Sequence, residues 1–141
     1  QAHRLYVLST EYDDDPVIRK SNRARETSIS LAEHRMIPVE YVNRNQIDVM
    51  SGQRPSNGIV LDADPIDLEI VDSLPILDIQ KGNIAPIWVA LDQIVDPQNL
   101  GAILRSCSFF GITGVVICGR NSAPLSPTVA KASCGALEFI N

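Results

Sequence analysis

Apolar residues along this chain come in short bursts, separated by polar stretches rich in turn-forming residues. Leu5-Tyr6-Val7-Leu8 reads as a short buried strand. The acidic turn Glu11 to Asp15 follows, and Pro16 suits the first turn of a helix with Asp15 as its N-cap. That helix is expected to reach about His34, with Ile18, Ser21, Ser28, Ile29, Leu31 and Ala32 as its apolar or small-residue stripe, before Met36-Ile37-Pro38 ends it. Val39 to Val42 alternates as a second strand. Asn43 or Asn45 then caps a short helix, Gln46 to Met50, which Gly52 closes. Ile59-Val60-Leu61 is a third strand, entered through the Asn57-Gly58 turn pair. Strand, helix, strand, helix, strand within residues 1–61 predicts a small α/β domain.

The texture changes over residues 62–86. Asp62, Asp64, Asp67, Glu69, Asp72 and Asp78 interleave with Pro65, Pro75 and Pro86. This predicts an acidic linker, with Ile66, Leu68 and Ile70 alternating as one edge strand at most. Ile87 to Leu91 opens a second domain, residues 87–141, as a strand buried on both faces. In the helix after it, Leu100, Ile103, Leu104 and Cys107 share one stripe at 100° per residue, and Gly101, Arg105 and Ser108 share a neighbouring one. Gly111 stops that helix. Val115 to Cys118 is the next strand, Ser126-Pro127 opens a helix running from Thr128 to about Ser133, and Leu137 to Ile140 reads as the start of another strand. The fold class is therefore α/β in both domains.

Charge and cysteine content narrow the functional classes. The net charge is −5, which does not favour indiscriminate nucleic-acid binding, and its distribution is uneven. Residues 1–60 hold eight basic and eight acidic side chains, so the whole negative excess falls on residues 61–141. Arg19, Lys20, Arg23 and Arg25 form the one basic cluster, readable as a solvated helix face or as an RNA-facing patch. Cys107, Cys118 and Cys134 lack CxxC spacing and neighbouring histidines, so buried reduced thiols are expected rather than zinc or a disulfide framework. No apolar run approaches the ~18 residues of a membrane span. No metal and no membrane partner are expected.

Polar chemistry concentrates at the strand-to-helix junction Asp96-Pro97-Gln98-Asn99, followed by Gly101 and Arg105. Helix entry alone accounts for Asp, Pro and Asn at such a point. Arg105 adds a planar, bidentate donor fork suited to phosphate. Asn99 stands near the first free N–H groups of the helix, and Gly101, one turn before Arg105, leaves room for a ligand beside the guanidinium.

The stretch Asp96-Pro97-x-Asn99-x-Gly101-Ala102-Ile103-x-Arg105-Ser106, with Phe110-Gly111 and Gly114-Val115-Val116-Ile117, closely resembles the first motif of the SpoU branch of the SPOUT (α/β knot) RNA methyltransferases. Pro124-Leu125-Ser126-Pro127 and Lys131-Ala132-Ser133-x-Gly135-Ala136-x-Glu138 follow the same family pattern. Arg54 to Leu61, Ile37 to Val42 and Arg4 to Val7 resemble the family's N-terminal substrate-binding domain, which is similar to ribosomal protein L30e. Ser56 stands where that domain usually carries His. The resemblance thus implies an L30e-like RNA-binding domain followed by the first half of a SPOUT catalytic domain.

The activity it implies is methyl transfer from S-adenosylmethionine to a ribose 2′-OH, with large-subunit rRNA, at a guanosine, as the expected substrate. Arg105 and Asn99 are the expected catalytic residues. Arg105 would grip the phosphate beside the target ribose, proton transfer being its second role because arginine is a poor general base, and Asn99 would orient Arg105 or the ribose. Arg105, Gly101, Arg19, Lys20, Arg23, Arg25 and Asn57 are the expected RNA contacts. The family's two cofactor loops have no counterpart in these 141 residues, so the chain is expected to be a portion inactive by itself, its cofactor residues unknown, from a homodimeric parent. The mitochondrion is the expected compartment and the bacterial cytoplasm the alternative. Two other readings remain: a non-catalytic RNA-binding module, and an unrelated nucleotide-binding domain, which no GxGxxG or P-loop supports.

Overall fold

A computed structural model of the chain describes residues 1–9, 16–74 and 86–140. The acidic turn with Asp15 and most of the second half of the linker lie outside the described residues. Two units can be separated, Gln1–Asp64 and Pro65–Asn141.

The first unit is built on β1 (Ala2–Leu8), which pairs parallel with β2 (Val39–Val42) and antiparallel with β3 (Ile59–Ala63), giving the order β2-β1-β3. Alternation along β1 sends residues to opposite faces. Leu5 and Val7 pack with Ala32, Ile29 and Ile37, on the side of α1 (Pro16–His34). Leu8 and Tyr6 pack with Val42, Val60 and Ile47, which belongs to α2 (Arg44–Met50). Of the two candidate caps, Asn43 is the one used. Its side chain accepts from the Gln46 N–H at 3.0 Å, and the Gln46 side chain accepts from the Asn43 N–H at 3.0 Å, a complete capping box.

Leu31 does not join the stripe predicted for α1, because the sheet-facing row runs through Arg25, Ile29 and Ala32, leaving Leu31 exposed. The helix ends at His34, and two residues on Met36 takes a left-handed φ of 57° while the Ile37 N–H reaches back to the Ala32 carbonyl at 2.8 Å. In the linker, Ile66, Leu68 and Ile70 are exposed and form no strand. Proline at 65 and the run of carboxylates leave that alternation without a partner strand to bond.

The second unit holds β4 (Trp88–Leu91) and β5 (Gly114–Ile117) in parallel register, Trp88 beside Gly114 through Leu91 beside Ile117. The helix α3 (Pro97–Phe109) connects them, as a parallel pair requires. Leu100 and Leu104 are fully buried and Cys107 nearly so, with Ile103 partly covered, which is the stripe the spacing predicts. Gly111, at φ 66°, ends α3, with the Ile112 N–H on the Cys107 carbonyl at 3.0 Å. Then α4 (Pro127–Ala132) packs on α3.

The expected strand at Leu137 to Ile140 is absent. Gly135, at φ 89°, turns the chain into a 3₁₀ turn, Ala136–Glu138, and Leu137 folds into the core with Leu100, Leu104 and Val129. A short apolar run becomes a strand only beside a partner edge, and here burial against two helices satisfies it instead. Among the described residues no helix is long and apolar enough to cross a membrane.

Candidate functional site

The loop after β4 carries Gln93 at φ 55°, a left-handed conformation that non-glycine residues adopt at a cost. It is tied to the loop after β5 by the Ala123 N–H on the Ile94 carbonyl at 2.8 Å. Asp96 then caps α3, its carboxylate accepting from the Gln98 N–H at 2.9 Å, with Pro97 opening the first turn. A groove of about 720 Å³ runs along this junction, mostly apolar through Ile94, Ile103 and Phe110, with Gln93, Asp96, Asn99 and Ser106 as its polar lining.

The three residues expected to form one working surface are divided by the structure. Asn99 is exposed and faces the groove. Arg105 is exposed on another face of α3, where its Nη1 donates to the Cys134 sulfur at 3.7 Å. Six helical residues amount to about 9 Å along the axis and about 120° around it, so the expected orientation of Arg105 by Asn99 is not present. Gly101 requires a larger correction. It is buried, and a Cβ there would meet the Ala132 Cβ at 2.5 Å and the Val129 carbonyl oxygen at 2.7 Å. The space beside Gly101 is filled by α4, so this glycine serves helix packing and leaves no room for RNA.

The basic cluster also divides. Arg25 is 6 % exposed and donates from Nη2 to the Leu8 carbonyl at 2.6 Å, so it secures the carboxyl end of β1 and does not face RNA. A long side chain that meets the sheet with its stem can carry its charge to a carbonyl at the sheet's end, which is how a cation comes to lie on the core-facing row. Arg23 is exposed, and the side chains of Arg19 and Lys20 lie outside the described residues. Asn57 is exposed and Ser56 half-buried in the turn before β3. Glu138 is exposed, in the 3₁₀ turn and not on a strand.

The thiols are not uniformly buried either. Cys107 is buried, and burial pushes its thiol up from the ordinary range; Cys118 is half-buried, and Cys134 is exposed. Among the described residues no three His, Cys, Asp or Glu side chains gather as a metal site needs. Nothing in the sequence marks Cys134 as the partner of Arg105. Cys134 lies between Ser133 and Gly135, and only the packing of α4 on α3 brings it to Arg105.

Residues 3–68 match the family described as RNA 2′-O ribose methyltransferase substrate binding, and residues 86–141 match the SpoU rRNA Methylase family. The two matches lie in the order substrate-binding part, then methylase part. The chain belongs to the SpoU rRNA methylase family. It is 42% identical over 124 residues to rRNA methyltransferase 1, mitochondrial, of Dictyostelium discoideum, covering 72% of this chain and 23% of that protein. It is 36% identical over 117 residues to the human protein of the same name, covering 80% of this chain and 32% of that one. An rRNA methyltransferase from Sinorhizobium meliloti has a similar fold, with TM-score 0.61 at 20% identity, over 99% of this chain and 45% of that one. An rRNA methyltransferase from that organism has also been solved with AdoMet bound. The chain spans less than half the length of each of these proteins.

Proposed function

We propose that this chain supplies the RNA side of a ribose 2′-O-methyltransferase acting on rRNA. The observation that carries the proposal is Arg105, an exposed cation on a helix whose lower face is locked into the core by Leu100, Leu104 and Cys107. A guanidinium on so rigid a base can take two oxygens of one phosphate and fix the adjoining ribose. Asn99, six residues earlier, acts separately, as a neutral donor and acceptor over the groove. Arg23, and Asn57 in the turn before β3, are the proposed RNA contacts of the first unit, with Arg19 and Lys20 near Arg23 in sequence.

S-adenosylmethionine is the methyl donor of the proposal, supplying an electrophilic methyl on a sulfonium. The groove beside Asn99 is largely apolar with Asp96 as its one carboxylate, and no residue described here is assigned to the cofactor. The residues described here bind and orient the RNA. Large-subunit rRNA as substrate, a guanosine as target, the mitochondrion as compartment and a homodimer as the working form complete the proposal; relatives named as mitochondrial rRNA methyltransferases support the rRNA class and the compartment.

The test is methyl transfer from labelled S-adenosylmethionine to large-subunit rRNA by the protein at its natural length, followed by alkaline hydrolysis. A methylated 2′-oxygen cannot attack its own phosphodiester, so one band should vanish from the ladder. Label retained on a base, with an unbroken ladder, would overturn the proposal.

A further inference from the structure

We propose that the C-terminal turn of α4 is the positioning element of Arg105, acting through Cys134; this rests on Arg105 being the phosphate-gripping group. Two successive rungs join α3 to α4. At the first, Gly101 lies against Ala132 with no space for a Cβ. At the second, one helical turn further along α3 and two residues further along the other segment, the Arg105 Nη1 donates to the Cys134 sulfur at 3.7 Å. The first rung sets the separation of the helices, and the second uses it.

Several features fit Cys134 to this role. It follows the C-cap, Ser133, and takes a left-handed φ of 53°, so the chain leaves the helix abruptly at this point. Its own sulfur donates weakly to the Ala132 carbonyl at 4.0 Å, which fixes the sulfur at the C-terminal end of α4. Ser133 beneath it is fully buried, donating to the Ala130 carbonyl at 2.8 Å and accepting from the Leu137 N–H at 3.3 Å, which ties the turn to the core.

The choice of sulfur also matters. An exposed arginine loses much side-chain entropy when it grips a phosphate, and a contact that orders it beforehand reduces that loss. A carboxylate in the same place would order the fork but compete with the phosphate for it. A thiol is a weak acceptor, so it can orient the guanidinium and still yield its donors to the RNA.

The experiment is a double-mutant cycle, read by fluorescence anisotropy with a fluorescein-labelled large-subunit rRNA hairpin at one fixed salt concentration. Arg105→Ala should weaken binding about tenfold, and Cys134→Ala about threefold, the size of one modest hydrogen bond. Cys134→Ser, which keeps an acceptor, should bind like the wild type. The double variant should bind like Arg105→Ala alone. Melting temperatures of the Cys134 variants should match the wild type. If Cys134→Ala is silent, or if its loss persists unchanged in the Arg105→Ala background, the positioning role is overturned while Arg105 keeps its function. If Arg105→Ala binds like the wild type, the role and the reading it rests on fall together.

Discussion

Gly101 on α3 and Ala132 on α4 stand so close that a Cβ on the glycine would lie 2.5 Å from the alanine's, well inside the ~3.5–4.0 Å of an ordinary carbon contact. Gly101→Ala should therefore force the helices apart and cost about 1–3 kcal/mol, read as a lower midpoint of thermal or urea unfolding. Gly119→Ala serves as the control, since nothing lies within 4 Å of a Cβ there, and it should leave the midpoint where it is.

Arg25 is predicted to matter for stability and Arg23 for the surface. Arg25→Met removes a buried charged donor from the Leu8 carbonyl while keeping the aliphatic stem, and should cost about 1.5–3 kcal/mol in urea unfolding. Arg23→Ala, on an exposed face, should change stability by less than about 0.5 kcal/mol.

Alkylation should distinguish the three thiols. Iodoacetamide reacts with thiolate, and the Cys107 thiol is both covered and shifted upward by burial, so less of it ionises near neutral pH. Peptide mapping of the native chain should find Cys134 labelled first, Cys118 next and Cys107 last. Cys107 labelled as fast as Cys134 would contradict the packing of α3.

Removal of the α2 cap gives a smaller effect. Asn43→Ala breaks both halves of the box with Gln46 and should lower stability by about 1 kcal/mol. Asn45→Ala, at the other candidate cap, should be near neutral.

Periodicity made the core of the second unit legible, because the buried face of α3 depends only on spacing within one helix. What spacing cannot show is which second element lies against a given face. Gly101 reads as open space when α3 is considered alone and as a tight crossing once α4 is placed on it. Cys134 and Arg105 are 29 positions apart, and no local pattern links them. Arg25 was hidden for another reason: charge suggests solvent, whereas a long stem can lie on the core-facing row and carry its charge to the Leu8 carbonyl. Leu137 to Ile140 satisfies the composition of a strand, but whether such a run pairs or folds back depends on the edge available to it.

The claim that Arg105 holds an RNA phosphate is tested most directly by the salt dependence of binding to the large-subunit rRNA hairpin. Each phosphate contact contributes about 0.7–0.9 to the slope of log affinity against log salt. Arg105→Ala should lower both the affinity and that slope, by about one contact, with its melting temperature within a degree or two of the wild type. An unchanged slope and an unchanged affinity would contradict the account.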